Sequence, residues 1–284
     1  MAQAQTDVAR RPAEAEAPAG GHAVAFERVR LAFDEKVVLK DVTFNVPRGR
    51  TKIILGASGS GKSTILKIIT GLLKADAGIV WVNDKRVERF TEDQMMEVRD
   101  DLGLIFQEAA LVDSLTVREN VGFKLYEDPK KPIEEVDKRV EEVLGFVGLL
   151  EHINKMPSEL SGGQRRRVAI ARAMAFKPSI LLYDEATTGL DPITAMTVDE
   201  EIIKLRDFEG VTSIVVTHQL RDAFYVATNM ATRRPDRTVE IVPASQEKVS
   251  QTEFMMLKEG VVHFEGDADE LRASTDPYIR EFLS

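Results

Sequence analysis

Apolar runs punctuated by polar breaks follow the chain, and their character changes once, near residue 50. Before that point 24–26, 37–39 and 42–44 are short β-branched or aromatic runs, which predicts antiparallel strands ending at Pro47 to Gly49. After it come continuous apolar runs, Ile53-Ile54-Leu55, Leu104-Ile105-Phe106, Ile180-Leu181-Leu182-Tyr183 and Ile214-Val215-Val216, with helical patterns between them. Runs without alternation belong to strands buried on both faces, so they predict a parallel sheet covered by helices. Residues 133–150 read differently: Val136, Val140, Val143, Leu144 and Val147 recur at helical spacing among charges, predicting a helical subdomain inserted at roughly 108–175.

The remaining segments are simpler. Residues 1–22, rich in Ala, Glu, Pro and Gln without an apolar period, read as a disordered leader. The folded domain is expected over 23–266. Within it the polar, Pro-containing stretch at roughly 231–251 predicts a surface hairpin or flexible loop, and 254–257 with 261–264 predict a hairpin around Lys258-Glu259-Gly260. Residues 267–284 read as a helical tail.

Composition narrows the function. A chain of 284 residues with 43% hydrophobic content can bury a large core. A formal net charge of −9 argues against a nucleic-acid partner, since phosphate backbones call for clustered Lys and Arg. The absence of cysteine excludes disulfides and thiolate metal sites. No run approaches the roughly 18 apolar residues of a membrane-spanning helix, and no secretion signal is visible, so the chain is expected in the cytoplasm.

The chemistry centres on GASGSGKST, Gly56 to Thr64, between the apolar runs 53–55 and 65–69. It fits the phosphate-binding loop pattern, a glycine, four residues, then Gly61-Lys62-Ser63. Glycines let the backbone turn its N–H groups onto a phosphate chain, Lys62 adds a point charge, and the Ser63 hydroxyl suits the magnesium that nucleotide phosphates carry. The nucleotide ligands read here are Gly56, Ser58, Gly59, Gly61, Lys62, Ser63 and Thr64, with ATP and Mg2+ as cofactors.

Three later runs stop on residues of chemical use: Gln107, the pair Asp184-Glu185, and His218 after Thr217. Ligands of open α/β sheets gather beyond the carboxyl ends of strands, which brings these endings to the phosphate loop. Asp184 would hold magnesium through its water shell. Strand alternation sends Glu185 elsewhere, where it can polarise an attacking water. Gln107 and His218 would attend the metal, the water and the γ-phosphate. Catalytic candidates are therefore Glu185, His218 and Gln107, and metal candidates Ser63, Gln107 and Asp184.

A second anion-binding terminus, Ser161-Gly162-Gly163-Gln164, opens another predicted helix, 165–176. One phosphate chain needs one cradle, so a second one requires its own explanation. In these residues the chain resembles the nucleotide-binding subunit of an ATP-binding cassette (ABC) transporter. Gly56 to Ser63 match the phosphate loop, Gln107 the Q-loop, Ser161 to Gln164 the signature, Asp184-Glu185 the Walker B pair, Gly189-Leu190-Asp191 the D-loop and His218 the switch histidine. Phe33 stands where such proteins stack an aromatic on adenine. The resemblance implies an ATPase with a P-loop NTPase core, mainly parallel, an N-terminal antiparallel β subdomain and an inserted helical signature subdomain. It further implies a head-to-tail homodimer with ATP at the interface, each signature serving the partner's nucleotide, docked on integral-membrane permease subunits at the cytoplasmic face of the inner membrane. Ala186 departs from the family, which usually has Pro there.

More narrowly, 106–111, 114–121, 187–192 and the ending 277–283 are similar to the ATPases of Mce-type lipid transporters, the Mla and Mkl group. That implies phospholipid or other hydrophobic cargo and an Mce-domain partner, although Gln164 stands where many of that group have Met. The alternatives are an ABC ATPase for another substrate and a soluble, nucleotide-gated interaction module.

Overall fold

The computed structural model describes residues 21–236 and 238–284, so the proposed leader lies almost wholly outside the described residues. In chain order the elements are β1 (His22–Phe33), β2 (Lys36–Pro47), β3 (Thr51–Leu55), α1 (Lys62–Ile69), β4 (Ala77–Val82), β5 (Lys85–Arg86), α2 (Glu92–Arg99) and β6 (Leu102–Ile105). Then follow α3 (Val117–Tyr126), α4 (Ile133–Phe146), α5 (Gly162–Ala175), β7 (Ile180–Asp184), α6 (Pro192–Lys204), β8 (Thr212–Val216) and α7 (Leu220–Thr228). The chain finishes with β9 (Asn229–Arg233), β10 (Val239–Pro243), α8 (Gln246–Val249), β11 (Thr252–Lys258), β12 (Val261–Gly266), α9 (Ala268–Ala273) and α10 (Pro277–Leu283).

The continuous apolar runs become the central sheet, in the order β12-β11-β3-β8-β7-β6. Its neighbours pair in parallel except at the β11–β12 edge. Alternate residues serve different cores. Ile53, Leu55, Tyr183, Val215 and Phe254 pack against helices α3 to α7, while Ile54, Leu182, Ile214, Val216 and Met255 pack against α1 and the antiparallel sheet β2-β1-β4-β5. Each such side chain, once fully buried, contributes about 1.5–3 kcal/mol, which is why these runs are apolar on both faces.

The N-terminal runs resolve into two long strands rather than three short ones, because irregular registers in the β1–β2 pairing let polar residues pass without ending it. The Phe26 and Phe44 rings stack across this pair at 4.7 Å. In the helical subdomain the period of Val136, Val140, Val143 and Leu144 is buried as expected, but α4 ends at Phe146. Gly148 at φ 65 takes the left-handed turn beyond it, and the Leu149 N–H donates back to the Leu144 carbonyl at 2.8 Å, a glycine stop. The described residues of 231–251 belong to the β9–β10 hairpin, which starts at Asn229, and the short α8. This segment is tied down by Asp207, which accepts from the Ala231 N–H and the Lys248 ammonium. The tail is two short helices broken at 274–276, with Ile279 in the core.

Leu182 lies fully buried in β7, between its parallel neighbours β6 and β8. Leu182→Ala is expected to lower unfolding stability by about 2–5 kcal/mol through lost burial and the cavity left behind. Urea denaturation checks this, and a loss under about 1 kcal/mol would contradict the core assignment.

Candidate nucleotide site

At the carboxyl ends of β3, β7 and β8 the backbone itself is tied together. The Glu185 N–H donates to the Val216 carbonyl at 2.9 Å, and the Thr217 N–H to Ile54 at 3.2 Å. The loop between β3 and α1 rises from this platform. Gly56, Gly59 and Gly61 have φ of 150°, 79° and 107°, values that side-chain-bearing residues rarely adopt. At Gly61 the reason is also spatial, since a Cβ would lie 2.8 Å from Leu39 Cδ2 of the overlying β2.

The loop curls around Lys62, which is only 3% exposed. Its ammonium donates to the Gly56 carbonyl at 2.9 Å and the Ala57 carbonyl at 3.1 Å, and Glu185 Oε1 stands 3.7 Å away. Burial lowers the Lys62 pKa, and the Glu185 and Asp184 carboxylates partly restore it. Ser63 donates its hydroxyl to Asp184 Oδ1 at 2.7 Å. Burial pushes the Asp184 carboxyl upward and the Ser63 hydrogen bond opposes it.

Glu185 departs from the expectation of simple alternation. The strand stops at Asp184, and Glu185 takes a left-handed backbone, φ 51°, which turns its carboxylate back toward the loop. Its Oε2 accepts from the Thr188 hydroxyl at 3.2 Å and lies 3.2 Å from His218 Nδ1. A non-glycine residue in this region costs about 1–3 kcal/mol and persists only where its surroundings hold it.

A cavity of about 390 Å³ opens over these groups, lined by Phe33, Val38, Ser58, Gly59, Gly61 to Thr64, Gln107 and Glu185 among others. The structure thus brings together the loop, Glu185, Gln107 and the half-exposed Phe33, with Asp184 and His218 in contact with lining residues. Ser161, Gly162, Gly163 and Gln164 are not among the residues lining it. Ser161 caps α5, which starts at Gly162 and not at 165: its hydroxyl accepts from the Gln164 N–H at 3.3 Å while the Gln164 side chain accepts from the Ser161 N–H at 2.9 Å. Gly163 is required by contact with α6, where a Cβ would come within 2.0 Å of Thr194 Cγ2.

The donors fit a nucleotide triphosphate and its metal. A buried ammonium held mainly by neutral carbonyls attracts an anion, and α1 begins without a side-chain cap on its N–H groups. The Ser60 hydroxyl is buried without a partner at the same loop. Ser63 with Asp184 offers adjacent hard oxygens of the kind magnesium prefers.

Two arginines escaped the sequence reading. On α5, Arg166 donates to the carbonyls of Ala186 and Thr188, and Arg172 to those of Ala109 and Ala110, both of positive φ. One helix therefore grips the loops that follow Glu185 and Gln107. An arginine-rich helix face gives no local sign of such partners.

A parallel sheet whose strand ends converge on a glycine-turned phosphate loop defines a phosphate-loop nucleoside triphosphatase. The ABC transporter family profile matches residues 39–188. Protein TRIGALACTOSYLDIACYLGLYCEROL 3, chloroplastic, of Arabidopsis thaliana is 39% identical over 274 residues, 90% of this chain and 72% of that protein. Methionine import ATP-binding protein MetN of Clostridioides difficile is 39% identical over 218 residues, 77% of this chain and 68% of that one. Among solved structures, the dimeric post-hydrolysis state of the ATP-binding cassette MJ0796, bound to ADP and Pi, is 32% identical with a TM-score of 0.71, covering 86% of this chain and 98% of that one. The chain belongs to the ABC transporter family and is an ATPase that takes ATP with magnesium. Neither relative carries the name of the Mla and Mkl group.

Gly61→Ala is expected to leave the fold intact and weaken ATP binding at least about tenfold, because the left-handed backbone and the Leu39 contact move the loop. Titration with a fluorescent nucleotide measures it. Wild-type affinity would contradict the spatial argument.

Proposed function

We propose that this chain is the ATP-hydrolysing subunit of a membrane transport complex, working as two copies joined head to tail. One observation carries the reading: the hydrolytic groups line or border one cavity, whereas the Ser161–Gln164 cradle is not among the residues lining it. In this reading Lys62 and the N–H groups of Gly56 to Thr64 hold the phosphates and Phe33 stacks on the base. Ser63, Asp184 and Gln107 hold magnesium, which when bound neutralises charge on the phosphate oxygens. Glu185 accepts the proton of a water whose oxygen bonds to the γ-phosphorus as the bond to the bridging oxygen breaks, leaving ADP and phosphate. His218, 3.2 Å from the same carboxylate, orients it. The second copy supplies Ser161, Gly162, Gly163 and Gln164, and the related cassette described as a dimer supports this pairing.

The described helices include none long and apolar enough to cross a membrane. We assign the transport path to integral-membrane permease subunits, with this chain at their cytoplasmic face. The methionine-import relative favours a solute other than lipid as cargo. A lipid cargo, moved with an Mce-domain partner, has one observation of its own: the Arabidopsis relative named for a galactolipid aligns over 90% of the chain, against 77% for the methionine importer. Co-purification separates these readings, since an Mce-domain protein among the partners selects the second. A soluble module would bring down no membrane subunit.

Glu185→Gln should bind ATP with near-normal affinity and lose turnover roughly 10²–10⁴-fold. Steady-state phosphate release alongside nucleotide titration tests it. Wild-type turnover would remove Glu185 from the role of base.

A further inference from the structure

The loop after β7 is bounded by two left-handed residues, Glu185 at φ 51° and Gly189 at φ 80°, leaving 186–188 as a short segment between turns. Its shape is fixed from outside. Arg166, 9% exposed, donates its Nε–H to the Ala186 carbonyl at 2.9 Å and an Nη2–H to the Thr188 carbonyl at 3.2 Å. The planar guanidinium fork can engage two carbonyls at fixed separation, which an ammonium cannot do as rigidly. Thr188 then passes the placement on: its N–H donates to the Glu185 carbonyl at 3.1 Å and its hydroxyl to Glu185 Oε2 at 3.2 Å. At its other end Arg166 belongs to α5, whose first turn is capped by Ser161 and seated on α6 at Gly163. A helix of 14 residues moves as one body, so a shift at Ser161 reaches Arg166 within about one and a half turns.

We propose that Arg166 is a positioning residue for Glu185, carrying the placement of the Ser161 helix to the carboxylate through the Ala186 and Thr188 carbonyls and the Thr188 hydroxyl. Within one chain this couples the cradle offered to the partner's nucleotide to the base acting on the chain's own. The proposal rests on the assignment of Glu185 as base.

The test uses ATPase kinetics and nucleotide affinity of the full chain in Arg166→Met, Thr188→Val and Thr188→Ser. Methionine keeps the apolar stem of Arg166 and removes every donor; valine keeps the Thr188 carbonyl and removes the hydroxyl. Arg166→Met and Thr188→Val should each lower kcat roughly 10–100-fold with KM for ATP within about twofold, the split expected of a misplaced catalytic group. The double variant should fall no further than the worse of the two, because both act along one path. Thr188→Ser keeps the hydroxyl and should hold kcat within about twofold of wild type. Wild-type kcat in Thr188→Val, a raised KM at unchanged kcat, or a loss that serine does not restore overturns the proposal. Should Arg166→Met fail to fold, the two Thr188 variants decide alone. Unchanged variants beside an inactive Glu185→Gln sink only the strap, whereas an active Glu185→Gln sinks the base assignment beneath it.

Discussion

A cationic side chain wrapped in its own loop is the constraint on which the rest depends. Removing an ammonium from water is costly unless charge or hydrogen bonds replace the solvent. Around Lys62 the replacement is two backbone carbonyls and a carboxylate at 3.7 Å, a partial compensation that a triphosphate would complete. The glycines exist to let those carbonyls turn inward, the parallel strands to hold the loop's base, and α1 to aim its dipole at the same point. Glu185, in this arrangement, stands where it senses both the lysine and the histidine.

The second constraint is mechanical. The helix that begins at Ser161 is not among the walls of the cavity, yet its arginines hold the loops that carry Glu185 and border Gln107. The carbonyls of left-handed Ala109 and Ala110, and those of Ala186 and Thr188 between left-handed Glu185 and Gly189, lie outside helix and sheet, and guanidinium groups from far along the chain satisfy them. Packing of Gly163 against Thr194 fastens the same helix to α6, whose N-cap is Asp191. The Ser161 helix is thus tied by hydrogen bonds to the loops that follow Glu185 and Gln107.

Much of this was legible in the chain itself because the responsible patterns are local. A loop of nine residues announces its phosphate chemistry, continuous apolar runs announce buried parallel strands, and Ser161 with two glycines announces a helix start, although the helix itself begins at Gly162 and not at 165. What was not legible depends on partners far along the chain. Arg166 meets a carbonyl 20 residues away and Arg172 one 62 residues away, and neither pairing leaves a trace in spacing or composition. The direction of Glu185 was misjudged for a related reason: alternation holds only while the strand continues, and here the backbone turns left-handed one residue after Asp184. The three N-terminal runs merged into two strands because bulges, set by cross-strand packing, absorb polar residues that would otherwise mark an end.

The central claim is that each chain holds half of two nucleotide sites. The sequence contains no cysteine, so single thiols can be placed without background. In a Glu185→Gln chain carrying Ser58→Cys and Ser161→Cys, a short bis-maleimide should produce covalent dimers when ATP and magnesium are present and few without nucleotide. Chains that remain monomeric under ATP, with both thiols labelled singly, would contradict the shared site.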